Sequence, residues 1–128
     1  MPVGIVVVSH SAELAAGTAE LAGQMAGDTV AILAVGGDSR GGLGTDEEAV
    51  QTALRRADSG EGVVVVADLG SSVLTVRQAL GRRKNGNVRL ADAPVVEGAV
   101  AAAVISSAGR PLDEVLAAAE EARGASKL

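Results

Sequence analysis

Four short apolar runs, each followed by a stretch with helical spacing, constrain this chain more than any other feature. They are Val3–Val8, Val30–Val35, Gly62–Ala67 and Asn87–Ala91. The first, Val3-Gly4-Ile5-Val6-Val7-Val8, shows no apolar–polar alternation. A strand with one wet face alternates, so an unbroken β-branched run reads as a strand buried on both faces. The intervening stretches carry stripes of period 3.6. Ala12 to Met25 has Leu14, Leu21 and Met25 as its apolar face. The next stripes are Val50, Ala53, Leu54 and Ala57, then Val73, Val76 and Leu80, then Val96, Val100, Ala103 and Val104. A fifth helix begins near Pro111, a good first-turn residue, with Leu112, Val115, Leu116 and Ala119 as its stripe. This alternation predicts a doubly wound α/β domain: a four-stranded, mainly parallel sheet in order 2-1-3-4, with helices on both faces.

The length of 128 residues suits one domain spanning 1–128, and no linker or repeat divides it. Hydrophobic residues make up 48% of the chain, yet Phe, Tyr and Trp are absent, so the core must be aliphatic. The absence of Cys excludes disulfides, a thiolate nucleophile and a Cys-based metal site. A net charge of −5 and the lack of any aromatic ring argue against nucleic acid as a partner. No apolar run approaches the roughly 20 residues that cross a membrane. The first run lacks a basic flank and is too short for a signal peptide. The expectation is a soluble cytoplasmic protein with no membrane partner.

His10, the only histidine, follows the first strand directly, within Ser9-His10-Ser11. In open parallel sheets ligands bind beyond the carboxyl ends of the strands. With order 2-1-3-4 the switch point falls between the first and third strands, so His10 and Asp68 should meet there. Asp68 can accept a hydrogen bond from one imidazole nitrogen, fixing the tautomer and leaving the other nitrogen as a nucleophile. The alternative is a structural histidine with its hydrogen bonds satisfied. Asp68-Leu69-Gly70-Ser71-Ser72 opens the third helix; Ser71 or Ser72 can cap it, or its free amides can hold an anion.

Other segments read two ways. Gly36 to Gly44 is either a flexible turn or a loop covering the site. Thr45-Asp46-Glu47-Glu48 reads as a capping box with Thr45 as N-cap. Glu97, in Ala93-Pro94-Val95-Val96-Glu97-Gly98, complements a helix dipole or supports the site. Arg82-Arg83-Lys84 is a solvated helix end or a docking patch. Neither a P-loop nor a dinucleotide fingerprint is present.

Taken together, Val6-Val7-Val8-Ser9-His10-Ser11, Gly44-Thr45, Ala67-Asp68-Leu69-Gly70-Ser71-Ser72 and Ala93-Pro94-Val95-Val96-Glu97-Gly98 resemble a known family over nearly the whole chain. It is the mannose-class IIA domains of the bacterial phosphoenolpyruvate-dependent phosphotransferase system. The likeness is greatest to the phosphotransfer subunits of PTS-dependent dihydroxyacetone kinases. The resemblance implies that His10 takes a phosphoryl group from phospho-HPr, with Asp68 as its acidic partner. It implies onward transfer to ADP on a nucleotide-binding kinase subunit, a dihydroxyacetone-binding subunit as the final partner, and a homodimer. Ending at Leu128, the chain is expected to meet its donor as a separate protein.

The expected function is that of a phosphohistidine carrier, a phosphotransferase subunit. Phosphate contacts are expected from Ser9, Ser11, Gly70, Ser71 and Ser72, with Thr45 and Glu97 in support. No metal or cofactor is called for. Rival readings are a sugar-specific IIA domain feeding a transporter, a chelatase-like metal protein and a non-catalytic binding module. A metal site generally needs more than one imidazole, and this chain has one.

Overall fold

The computed structural model describes residues 2–38, 40–83 and 86–128. Its strands are β1 (Gly4–Ser9), β2 (Ile32–Gly36), β3 (Val63–Ala67) and β4 (Val88–Leu90). Its helices are α1 (Ala12–Ala26), α2 (Glu47–Ala57), α3 (Gly70–Gly81), α4 (Val95–Ser107) and α5 (Leu112–Glu121), followed by a 3-10 turn at Ala122–Gly124. The strands form one sheet in the order β2-β1-β3-β4, and all three pairings are parallel. The predicted order is borne out, and the sheet is parallel throughout.

Both faces of the sheet are covered, which is why its central strands carry no polar residue before Ser9 at the end of β1. Along β1, Ile5 and Val7 join a cluster with Ala15, Ala22, Ala99, Ala102, Ala103, Val115 and Ala119, from α1, α4 and α5. Val6 and Val8 point the other way, into a cluster with Val50, Ala53, Leu54, Val76 and Ala79, from α2 and α3. The α2 stripe is buried as its periodicity predicts.

Two helices are rotated from the predicted orientation. In α1 the buried residues are Ala15, Thr18 and Ala22, while Leu14, Leu21 and Met25 are exposed. In α4, Gly98, Ala99, Ala102, Ala103 and Ser106 are buried, and Val104 is exposed. The two helices pack on each other and on the sheet, and small side chains let their backbones approach. A Cβ on Gly98 would come within 2.9 Å of the Ala93 Cβ in the turn before α4 and 3.5 Å of Val66 Cγ1 on β3, so this face of α4 has no room for a larger residue there. Within Ala99 to Val104, Ala99, Ala102 and Ala103 thereby belong to the chain's own core.

The basic segment is visible only in part, because Lys84 lies outside the described residues. Arg82 pairs with Glu47 at 3.3 Å. Among the described residues, no helix is long and apolar enough to cross a membrane.

Candidate active site

Register brings the site together. Val8 is paired with Ala67 in the parallel β1–β3 ladder, so the chain continues on both strands into Ser9-His10 and Asp68 side by side. The Asp68 amide donates to the Val8 carbonyl at 3.2 Å, extending the ladder one step. The two residues predicted to converge at the switch point do so: His10 Nδ1 lies 3.2 Å from Asp68 Oδ1. The His10 side chain is 22% exposed and that of Asp68 10%, so the carboxylate is walled in while the ring reaches solvent.

Asp68 is surrounded by donors. The Ser9 hydroxyl donates to Oδ2 at 2.7 Å and the His10 amide to the same oxygen at 3.2 Å. The Leu69 amide donates to Oδ1 at 2.7 Å. Burial pushes the Asp68 pKa up. Hydrogen bonds from the Ser9 and Ser72 hydroxyls and from the Leu69 and His10 amides outweigh that cost and hold it well below the usual carboxylate range. Asp68 is therefore an anion that accepts hydrogen bonds only.

That charge orders the imidazole. A bare nitrogen lone pair facing a carboxylate would be repelled, so Nδ1 carries the proton. It also lies 3.0 Å from Ser72 Oγ. In the neutral ring Nε2 is then the unprotonated nitrogen, with its lone pair on the Ser71 hydroxyl in a close contact. Ser71 and Ser72 stand in the first turn of α3, so the Gly70, Ser71 and Ser72 amides open a helix beside the ring with no preceding turn to bond them.

Two capping expectations are corrected here. Neither Ser71 nor Ser72 caps α3: its N-cap is Leu69 and no side chain caps it. Both hydroxyls are turned to His10 instead. Nor does Thr45 cap α2; Asp46 does, accepting from the Glu48 amide at 3.0 Å. Two adjacent oxygen-bearing residues compete for the cap in sequence, and the strand-like pairing of Thr45 with Gly37 shifts the helix start by one. Thr45 Oγ1 instead lies 3.3 Å from Ser72 Oγ.

Ser9 and Ser11 hold the framework rather than the ring. The Ser9 hydroxyl is buried, accepts from the Ser11 amide at 3.0 Å and donates to Asp68. The Ser11 hydroxyl caps α1 by accepting from the Leu14 amide at 3.2 Å. Glu97 stands apart, paired with Lys127 at 2.8 Å. The Gly44 amide donates to the His10 carbonyl at 3.0 Å, tying the β2–α2 loop to the site. Nothing in local sequence pattern signals that contact. A cleft of about 570 Å³ opens beside Asp68, lined by Leu69, Val73, Arg77, Leu80 and Leu90 among others. Among the described residues, no three His, Cys, Asp or Glu side chains gather as a metal site would require.

The family model of the PTS system fructose IIA component, EIIA-man, matches residues 4–116. The phosphoryl donor subunit DhaM of a PEP-dependent dihydroxyacetone kinase from Klebsiella michiganensis is 38% identical over 120 residues, which cover 89% of this chain and 25% of that protein. The chain thus spans about a quarter of that relative's length. The DhaM subunit of PEP-dependent dihydroxyacetone kinase 2 from Listeria innocua is 36% identical over 107 residues, covering 81% of this chain and 86% of that one. The crystal structure of EF1359, a protein of unknown function, superposes with a TM-score of 0.83 at 36% identity and covers 94% of both chains. The mannose/sorbose specific IIA subunit of the phosphotransferase system from Enterococcus faecalis shares the fold, with a TM-score of 0.58 at 19% identity, covering 100% of this chain and 95% of that one. Over almost its whole length, then, the chain belongs to the PTS fructose IIA component family, in the branch that holds the DhaM phosphoryl donor subunits of dihydroxyacetone kinase.

Proposed function

We propose that this chain is a cytoplasmic phosphohistidine carrier. Nε2 of His10 takes a phosphoryl group from phospho-HPr and delivers it to ADP bound on the nucleotide-binding subunit of a dihydroxyacetone kinase. The ATP so formed then phosphorylates dihydroxyacetone on a further subunit. One observation carries this reading: the two ring nitrogens of His10 sit in unlike surroundings. Nδ1 faces an ionised carboxylate, while Nε2 faces a hydroxyl at an open helix N-terminus.

The chemistry follows from that asymmetry. The Ser71 hydroxyl turns off Nε2 as the donor approaches. The Nε2 lone pair attacks phosphorus while the donor's P–N bond breaks, and the donor imidazole leaves with the bonding electrons. Nδ1 keeps its proton throughout, and Asp68 faces the positive charge that builds on the ring. The phosphoryl oxygens are met by the Gly70, Ser71 and Ser72 amides and by the positive end of α3. Such transfers depend on positioning and charge stabilisation, so the reading calls for no metal or cofactor on this chain.

The test is incubation with labelled phosphoenolpyruvate, enzyme I and HPr. The wild-type chain takes up acid-labile phosphate and His10→Ala takes up none, since no other His or Cys is present. Uptake by His10→Ala at the wild-type rate would show the assignment to be wrong. The phosphorylated chain is then offered to the ADP-loaded kinase subunit and, separately, to mannose-type transporter domains. Loss of label only to the transporter domains would move the chain to the sugar-specific reading. The likeness at Asp68–Ser72 and Pro94–Gly98 favours the kinase.

A further inference from the structure

We propose that Thr45 is a positioning residue for His10, acting through the Ser72 hydroxyl to keep the attacking nitrogen free of its proton. The proposal rests on the reading of His10 as a phosphoryl acceptor.

Ser72 is fully buried, and its Oγ has three polar neighbours. His10 Nδ1 lies at 3.0 Å, Thr45 Oγ1 at 3.3 Å, and the Asp68 carboxylate is the third. A serine hydroxyl has one proton to give and two lone pairs to offer. The carboxylate can only accept, so the Ser72 proton goes to Asp68. Both lone pairs are then open to donors, and two donors are in reach: Nδ1–H and the Thr45 hydroxyl. In this arrangement each hydroxyl proton has one place, and the Nδ1 proton is shared between Asp68 Oδ1 and Ser72 Oγ.

Without the Thr45 hydroxyl, one lone pair of a buried oxygen has no donor. The Ser72 oxygen is then free to shift off Nδ1–H, while its own proton stays on Asp68. Losing that acceptor weakens the preference for the tautomer with its proton on Nδ1 and raises the share with its proton on Nε2, which cannot attack phosphorus. Thr45 therefore biases the imidazole toward the reactive form without touching it.

The backbone places Thr45 for this role. The Gly37–Thr45 bridge aligns the loop, and the neighbouring Gly44 amide is bound to the His10 carbonyl. Thr45 is also released from capping, because Asp46 supplies the α2 cap. Removing its hydroxyl therefore leaves α2 capped.

The experiment compares wild type, Thr45→Val, Thr45→Ser and Thr45→Ala, each with ¹⁵N-labelled histidine. In unphosphorylated wild type near neutral pH, Nδ1 should resonate as a protonated nitrogen and Nε2 as a bare one. Thr45→Val should move both shifts toward averaged values. It should also slow phosphoryl uptake from phospho-HPr about 3- to 10-fold in kcat with KM unchanged, the scale of one hydrogen bond. Thr45→Ser should restore both readouts. Wild-type ring shifts in Thr45→Val, or no restoration in Thr45→Ser, would overturn the proposal. Thr45→Ala supplies the same comparison where the valine variant is poorly folded. A chain that takes up no phosphate refutes the carrier reading, while the ring shifts still decide the role of Thr45.

Discussion

Burial normally raises the cost of a carboxylate's charge, yet Asp68 stays ionised further down the pH scale than an ordinary aspartate. Donors bought at the sheet edge, two hydroxyls and two amides, overcome desolvation. The consequence for chemistry is a fixed counter-charge beside Nδ1. Asp68→Asn should fold yet slow phosphoryl uptake by about 10²- to 10⁴-fold, the range for orienting and acid–base groups. Stopped-flow transfer from phospho-HPr measures this, and an unchanged rate would reduce Asp68 to a strand-end residue. The consequence for stability has a definite sign. A depressed carboxylate pKa stabilises the fold at pH values above the unfolded aspartate value, and that contribution is lost as pH falls through the folded value. The stability difference between wild type and Asp68→Asn, from urea melts, should be full above about pH 5 and shrink steadily below about pH 4.

At the scale of elements, the site depends on how closely α1 follows β1 and meets β2. A Cβ on Gly36, the last residue of β2, would lie 2.5 Å from the Ser11 carbonyl oxygen and 2.7 Å from the Ala12 Cα. These are backbone atoms at the start of α1, so nothing flexible can yield. Gly36→Ala should destabilise by about 1–3 kcal/mol, the usual cost of overpacking. It should also slow transfer, because it pushes on the turn that carries His10. Gly17, by contrast, is an exposed position inside α1 with nothing within 4 Å of a Cβ. Gly17→Ala should stabilise by about 0.5–1 kcal/mol and leave the rate alone. Thermal melts of the pair, read beside transfer rates, separate the two effects; equal behaviour would refute the account of the β2–α1 contact.

For the whole molecule, the sheet order places its reactive edge between β1 and β3, where neighbouring helices leave on opposite faces. The resemblance read from the sequence implies a homodimer, which remains an expectation, and the outer face of α1 leaves Leu14, Leu21 and Met25 exposed. Sedimentation at micromolar concentration should give twice the 12.6 kDa chain mass. A monomer there would overturn the expected dimer.

The sequence by itself determined the strands, their order and the meeting of His10 with Asp68. Those follow from local signals: unbroken β-branched runs, helical spacing between them, and polar residues at strand ends. Only the tertiary structure decided which faces of α1 and α4 turn inward. Both faces repeat at the helical period, and the choice between them depends on the gap between packed backbones, which admits Ala15 and Ala22 but not Leu14 and Leu21. The tertiary structure also decided what Thr45, Ser71 and Ser72 do with their hydroxyls. Each is a competent cap in isolation. Which partner a hydroxyl takes is set by what the fold brings within reach, and here the partners lie 27 to 62 residues away along the chain: His10 for Ser71 and Ser72, and Ser72 for Thr45.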